Sequence, residues 1–292
     1  GIRWMFSAKS PFYIKPRLDL ELLEWLWTFY RSCSAENVAR AMPVLKDYNA
    51  WSKQLYRELA VDPRFSFCFE QKGILMLFKE SKTEHEEFEL ADQAMQLGIE
   101  ARKLSVSEVQ ALEPGIKLDV RGAVHYPGDA HLYPNLLISQ LTKALKEQGV
   151  QFITGASVLD LRTQNGKVTD ILLDDGRVLP AEKIVMAAGS WTSNLLKKAG
   201  IRMLLQDGKG YSVTLESPEK RPGIPALLIE GKVAVTPMGD DLRIGGTLEI
   251  SNLSPKVNPL RFQGIMENIP KYYPELNPGQ QDLSKVWHGY RP

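Results

Sequence analysis

The sequence is poor in the residues from which metal sites and disulfide frameworks are built. Of its 292 residues only 2 are cysteines, and Cys33 and Cys68 are far apart, with no C-x-x-C spacing. The 4 histidines show no close ligand spacing either. Because a tetrahedral zinc site needs about four ligands, we expect no metal centre and no disulfide framework. We interpret both cysteines as buried free thiols in a reducing compartment.

Excess charge and long apolar runs are also missing. The formal net charge is +1, which leaves no electrostatic footprint for nucleic acid. No apolar run approaches the roughly 18–20 residues of a membrane span. The first residues alternate basic and bulky side chains, without the apolar segment of a secretory signal. The balanced charge fits a small-molecule enzyme at least as well as a binding module, and the expected location is the cytoplasm. The opening stretch could lie on the inner face of a membrane or pack as a loop on its own domain.

The usual motifs of catalysis and nucleotide binding are missing too. The sequence contains no G-x-S-x-G, no H-E-x-x-H, no G-x-x-x-x-G-K-[ST] and no G-x-G-x-x-G. Gly208-Lys209-Gly210 begins like the last of these. However, Val213 occupies the place of the third glycine, and the segment precedes a strand instead of opening a helix. No acid–base pair can be recognised from the sequence.

What is present is a clear pattern of helices and strands. Leu18–Tyr30 is apolar almost all round and predicts a largely buried helix. Pro43, tolerated in a first turn, predicts a second helix through Leu59. Capping-box spacing at Ser81 and at Ser105 predicts two more helices. The other expected elements are a strand pair at Phe65–Phe69 and Ile74–Phe78, helices at Pro134–Gly149 and Pro259–Ile269, and strands at Val150–Thr154, Ser157–Arg162, Lys167–Leu173, Arg177–Leu179, Gly210–Leu215, Ala226–Ile229, Val233–Thr236 and Leu242–Ile250.

Glycine turns show how the middle of the chain is organised. Asn165-Gly166 and Asp175-Gly176 tolerate the positive φ angles of tight turns and predict a three-stranded meander. The short apolar strand Lys183–Ala187 then enters a glycine turn and a helix, which is an α/β layout. The layout is therefore interleaved, with one body formed by roughly 1–130 and 203–284 and another by roughly 134–200.

Several segments together resemble bacterial FAD-dependent D-amino acid dehydrogenases, within the D-amino acid oxidase superfamily that includes glycine oxidase and sarcosine oxidase. Each motif is weak alone, but their joint order is specific. The motifs are IRWMF (Ile2–Phe6), GKGYSVTL (Gly208–Leu215), VAVTPMGDDLRIGGTLEI (Val233–Ile250) and VWHGYRP (Val286–Pro292).

The resemblance implies an α+β fold in which a mixed or antiparallel-sheet substrate domain is interleaved with the remnant of a discontinuous FAD-binding α/β domain. The family carries a glycine-rich strand before such an opening and a further segment after the Arg-Pro turn. We therefore expect a chain truncated at both ends, inactive alone and without bound FAD. The implied pieces are 1–133 and 203–284 for the substrate domain, 134–202 for the middle of the FAD domain, and 285–292 for the start of its C-terminal return.

The resemblance also implies site residues. The arginine of the Arg-Pro turn, Arg291, would hold the substrate α-carboxylate, a task suited to a planar guanidinium that donates two parallel hydrogen bonds. Tyr211 and Tyr290 are further substrate-binding candidates, with core or rim packing as the alternative. His131 and His288 could touch substrate or flavin, or be structural. The cofactor-binding candidates are Val158, Ala187, Ala188, Gly189, Trp191 and Lys209; a strand residue at Val158 and a solvated side chain at Lys209 are the alternatives.

The implied activity is oxidative deamination of a D-amino acid by hydride transfer from its α-carbon to FAD. No side-chain base is required if the amine binds neutral, so the protein contributes orientation and electrostatics. The implied electron acceptor is a quinone or the respiratory chain. Two alternatives stay open: an oxidase of glycine, sarcosine or proline-like amines that uses O₂, and a non-catalytic binding module. We also expect an exposed sheet edge to favour self-association.

Overall fold

The computed structural model describes residues 12–15, 17–250, 256–279 and 281–291. The IRWMF segment and Pro292 lie outside this part of the chain. The helices are α1 Leu20–Ser32, α2 Ala35–Ala60, α3 Ser81–Gln96, α4 Val106–Leu112, α5 Pro134–Glu147, α6 Thr192–Lys198, α7 Pro259–Met266 and α8 Ile269–Tyr272. The strands are β1 Phe12–Ile14, β2 Ile74–Phe78, β3 Arg102–Ser105, β4 Gly122–Tyr126, β5 Val158–Gln164, β6 Lys167–Leu173, β7 Val178–Pro180, β8 Gly208–Leu215, β9 Ala226–Leu228, β10 Val233–Met238, β11 Asp241–Ile250 and β12 Trp287–Arg291.

A large mixed sheet joins sequence-distant parts of the chain. Its strands follow the order β12-β8-β11-β10-β9-β2-β4-β3, and β1 pairs with the end of β11. The β2–β9 and β1–β11 pairs are parallel, and the other neighbours are antiparallel. This sheet confirms the expected mixed α+β class. β12 belongs to it through its pairing with β8.

One face of this sheet forms the main core. Period-two alternation turns every second side chain of β8, β10 and β11 towards that face. Val213, Ile244 and Val235 lie opposite one another in register and are buried there. Phe262 and Ile265 of α7 pack against the same cluster. The other face of these strands is consequently left for the groove described below.

The middle of the chain forms a second, smaller sheet. β5, β6 and β7 make the expected antiparallel meander, and Asn165 and Gly166 adopt the positive φ angles of the first turn. Two expected strands, Val150–Thr154 and Lys183–Ala187, are wrong: both segments are irregular. A strand needs a hydrogen-bonded neighbour, and neither segment pairs with a strand in the described part of the chain.

The aromatic strand pair is also wrong in part. Ile74–Phe78 is a strand, but its neighbours are β4 and β9. Phe65–Phe69 forms no strand. Phe65 and Phe67 instead pack with Leu137 of α5 in a separate small core.

The first two helices depart from expectation in burial and in length. α1 forms, but Leu22 is its only buried residue; Trp27 and Tyr30 are 61% and 73% exposed. An all-round apolar helix is buried only where other elements enclose it, and none does so among the described residues. Cys33, which follows α1, is exposed as well. α2 begins at Ala35 because the Ser34 side chain caps it, so Pro43 lies inside the helix.

Two further expectations are only partly met. α3 forms, but Glu80 is its N-cap and no side chain caps it, so the capping box expected at Ser81 is wrong. The helix expected over Pro259–Ile269 is divided into α7 and α8.

Other helices begin and end as the sequence indicates. Ser105 and Glu108 form the expected capping box at α4. Pro134 opens α5, and Gly149 after its end has a φ of 86°. No helix among the described residues is both long and apolar enough to cross a membrane.

Candidate active-site groove

A groove of about 680 Å³ lies on the face of the large sheet opposite the main core. Its floor is made of residues with small side chains. Ser212 of β8, Gly245 of β11 and Ala234 of β10 lie opposite one another in register, and Gly210 lies two residues along β8. Directly opposed residues share a face of the sheet. The strands thus leave room above the floor for a flat or small ligand.

The walls of the groove carry positive charge. Lys232, Arg243 and Arg291 line it, and none of the described lining residues is Asp or Glu. Such a surface raises the local concentration of anions. The arrangement is therefore suited to a ligand that carries a carboxylate.

Arg243 is a groove residue that sequence reasoning missed. Its Nε donates a hydrogen bond to Ser212 Oγ at 3.2 Å, and its Cζ lies 5.3 Å from the centroid of the Trp287 ring. Burial lowers the pKa of the guanidinium from its usual value, although arginine keeps its charge in proteins. The available signal was a basic residue between Leu242 and Ile244, two apolar positions of the same expected strand.

Gly289 allows the Trp287 ring to lie along β12. A Cβ at Gly289 would lie 2.1 Å from Cη2 of that indole. We predict that Gly289→Ala displaces the indole from Arg243 with little loss of stability, because Trp287 is 59% exposed and has space to move. Fluorine NMR of 5-fluorotryptophan-labelled protein should show a shift of the Trp287 resonance, assigned with Trp287→Phe. Gly115→Ala, where a Cβ meets nothing within 4 Å, is the matched control; an unmoved resonance in Gly289→Ala would contradict the prediction.

The two predicted residues at the end of β12 lie on opposite faces of the sheet. Arg291 is exposed and lines the groove. Tyr290 precedes it, so strand alternation turns its side chain the other way. There its ring meets those of Trp191, at 5.9 Å, and His288, at 6.0 Å. The structure thus joins a predicted substrate residue with a predicted cofactor residue, but not inside the groove.

Tyr211 and Lys209 belong to a buried ionic cluster. The Tyr211 hydroxyl donates to Glu249 Oε2 at 2.8 Å, and burial raises the pKa of this phenol, so it stays protonated. Lys209 Nζ donates to the Lys256 carbonyl at 3.0 Å and lies 3.9 Å from Glu249 Oε1. Tyr211 also contributes to the groove lining, but its hydroxyl is engaged with Glu249. Lys209 does not line the groove.

The other cofactor candidates lie away from the groove lining. Val158 begins β5 and is exposed. Ala187 and Ala188 are irregular, and Gly189 has a φ of 51° with open space where a Cβ would be. Trp191 follows and is exposed. At Gly189 the exposed backbone permits the close approach of a ligand.

His131 lies in a different cavity, of about 500 Å³, beside α2. Burial lowers the pKa of its imidazole and raises that of the neighbouring Asp129 carboxyl. Lys53 closes part of this cavity by donating to the Gly128 carbonyl at 2.7 Å. The structure therefore does not bring His131 to the groove.

A family described as FAD dependent oxidoreductase (DAO) matches residues 24–292. The chain belongs to this family of flavoenzymes. It is similar to the D-amino acid dehydrogenases of Granulibacter bethesdensis, 27% identical over 297 residues, and of Vibrio vulnificus, 28% identical over 304 residues. Each alignment covers the whole of this chain and 70% of the relative.

Solved structures share the fold. The glycine oxidase from Bacillus cereus superposes with a TM-score of 0.73 at 24% identity, over 85% of this chain and 67% of that one. The glycine oxidase from Geobacillus kaustophilus gives a TM-score of 0.74 at 20% identity, over 86% of this chain and 67% of that one. These likenesses confirm the fold class expected from the sequence.

Proposed function

We propose that the protein oxidatively deaminates D-amino acids and that the groove on the large sheet holds the substrate. The observation that carries this proposal is the cationic lining above a floor of small residues, with no Asp or Glu among the lining residues that the structure describes. An amino acid offers a carboxylate to such a lining and leaves its α-carbon free over the floor. The D-amino acid dehydrogenases named above support the choice of substrate.

The groove residues act by orientation. Arg291 holds the α-carboxylate, and the planar guanidinium fixes its direction through two hydrogen bonds. Ser212, Gly245 and Ala234 have small or no side chains, so the α-carbon of the substrate can lie close to the floor of the groove. Trp287 excludes water at one side of the groove. FAD, when bound, supplies the acceptor for the hydride. None of the described lining residues carries an imidazole or a carboxylate, and the proposal therefore has the substrate amine enter in its neutral form.

The nucleotide half of FAD is assigned to the exposed run that includes Gly189 and Trp191, with Val158 on the adenine side. Within this proposal Tyr290 positions Trp191, whereas Tyr211 and Lys209 hold the sheet beneath the substrate. The same proposal divides the chain into four pieces: the substrate domain has 1–133 and 203–284, and the FAD domain has 134–202 and 285–292. Because no G-x-G-x-x-G cradles the pyrophosphate here, weak FAD binding by this chain alone is expected. The quinone acceptor, location at a membrane face and self-association stay predictions.

The test uses the full-length gene product. It should purify with the visible absorption of bound FAD, and anaerobic D-alanine should bleach that absorption, whereas L-alanine should not. Bleaching by glycine or sarcosine but not by D-alanine would favour the amine-oxidase alternative. Absence of flavin, or flavin that no amine reduces, would favour a non-catalytic binding module. Reoxidation by a quinone faster than by O₂ would identify a dehydrogenase.

A further inference from the structure

Arg243 has the surroundings of a binding residue. It is half-buried among groove residues, its hydrogen-bond partner is the neutral Ser212, and its aromatic neighbour is Trp287. No ion pair of Arg243 is found within the part of the chain that the structure describes. A guanidinium removed from water without a carboxylate partner is costly. An anionic ligand at this end of the groove would remove that cost.

Arg291, another of the three cations that line the groove, lies towards its other end. Trp287 and Arg291 are four residues apart on β12, or roughly 13 Å at the rise of a strand. The Arg243 guanidinium lies over Trp287, and Arg291 lines the other end of the same groove. Two long side chains and a five-carbon diacid together span such a distance. A shorter monocarboxylate engages only one guanidinium at a time.

We propose that Arg243 is a specificity-determining residue that binds a carboxylate on the substrate side chain. The groove then favours acidic D-amino acids of the size of glutamate, with Arg291 on the α-carboxylate and Arg243 on the distal one. This inference rests on the proposed function for the role of Arg291. It adds the substrate class, which that function leaves open.

Binding of non-oxidisable ligands tests the inference without turnover. Glutarate and its monoamide, glutaramate, have nearly the same shape and differ by one negative charge. Isothermal titration of the full-length protein should show glutarate binding about tenfold more tightly, the factor expected for one charge-assisted hydrogen bond. Equal affinities, or binding of neither ligand, would overturn the proposal before any variant is made.

Variants then test whether Arg243 is the residue that makes glutarate bind more tightly than glutaramate. Arg243→Gln should abolish the difference between glutarate and glutaramate. Arg177→Gln is the matched control, because Arg177 pairs with Asp175 at the turn before β7 and should retain the difference. Unchanged thermal unfolding and circular dichroism would show that Arg243→Gln is folded. A preference for glutarate that persists in Arg243→Gln would remove Arg243 from the site.

Flavin reduction separates this inference from the proposed function. In the wild-type protein, D-glutamate should reduce the flavin more efficiently than D-glutamine does. If D-glutamine and D-alanine reduce the flavin but D-glutamate is no better, the role of Arg243 is wrong and the deaminase function stands. If glutarate is preferred but no D-amino acid reduces the flavin, the diacid site stands and the deaminase function is wrong.

Discussion

Replacement of Glu249 by leucine is expected to lower the free energy of unfolding by about 3–5 kcal/mol, the cost of removing one partner from a buried ion pair. Lys209 and Arg261 are buried, with 3% and 5% of their side chains exposed. Their nitrogens lie 3.9 Å and 3.8 Å from the Glu249 oxygens. Without that carboxylate, both buried cations lose one anionic neighbour and the Tyr211 hydroxyl loses its acceptor.

Urea unfolding of the purified chain measures this loss. Tyr211→Phe should cost only about 1–2 kcal/mol, because it leaves the charges paired and removes only the two hydrogen bonds of the hydroxyl, which donates to Glu249 and accepts from the Asn258 N–H. Glu182→Leu, at an exposed position, is the matched control and should have little effect. A loss below about 1 kcal/mol in Glu249→Leu would show that the cluster is not an energetic unit.

The free energy of unfolding of Glu249→Leu should depend on pH in a direction that the charges around Lys209 determine. Burial lowers the pKa of Lys209, while the charge of Glu249 raises it. Without Glu249 the pKa of Lys209 in the folded state falls further below its value in the unfolded chain. The unfolded chain then binds more protons at alkaline pH, so stability rises with pH. The deficit of Glu249→Leu should therefore shrink as the pH approaches the ordinary pKa of lysine.

Much of the fold follows from local patterns. The capping box at Ser105, the glycine turn at Gly166 and the helix opened by Pro134 need only neighbouring residues to form, and the structure has all three. Strands β8, β10 and β11 also lie within a few residues of their expected ends, since their alternation marks one buried face. These elements carry the groove floor.

Elements that depend on distant partners could not be predicted in this way. Lys183–Ala187 has the composition of a buried strand, yet a strand exists only beside a hydrogen-bonded neighbour. α1 has the composition of a buried helix, yet burial requires other elements around it. The composition of a segment indicates which secondary structure and burial it favours. The elements around it decide whether the strand forms or the helix is buried.

From the sequence, only the end of the candidate groove that carries Arg291 could be predicted. The resemblance pointed to Arg291, which lines the groove. Alternation alone would have separated Arg291 from Tyr290, because adjacent residues of a strand point to opposite faces. The contact of Arg243 with Trp287 depends on the order β12-β8-β11 and on a register between residues far apart in sequence. No local pattern contains that register.

Arg291→Ala is expected to weaken substrate binding in the full-length, FAD-loaded protein by about 2–4 kcal/mol, or roughly 30- to 1,000-fold. The incoming carboxylate would lose its charged partner in a groove from which the substrate displaces water. The rate of flavin reduction should fall as well, because the same contact orients the α-hydrogen. Arg291→Lys keeps the charge but loses the planar two-pronged geometry, so its defect should be smaller and still clear.

Anaerobic flavin reduction against D-alanine concentration gives both quantities for each variant. The FAD content should match that of wild type, because the flavin phosphates are held elsewhere. Arg177→Ala is the control for removing an arginine, because Arg177 pairs with Asp175 and is not among the described lining residues. D-Alanine has a single carboxylate, so the result does not depend on the role assigned to Arg243. Wild-type affinity and rate in Arg291→Ala, with FAD bound, would exclude Arg291 as the carboxylate ligand. Arg243 would then become the leading candidate, because it is the other arginine among the described residues of the groove lining.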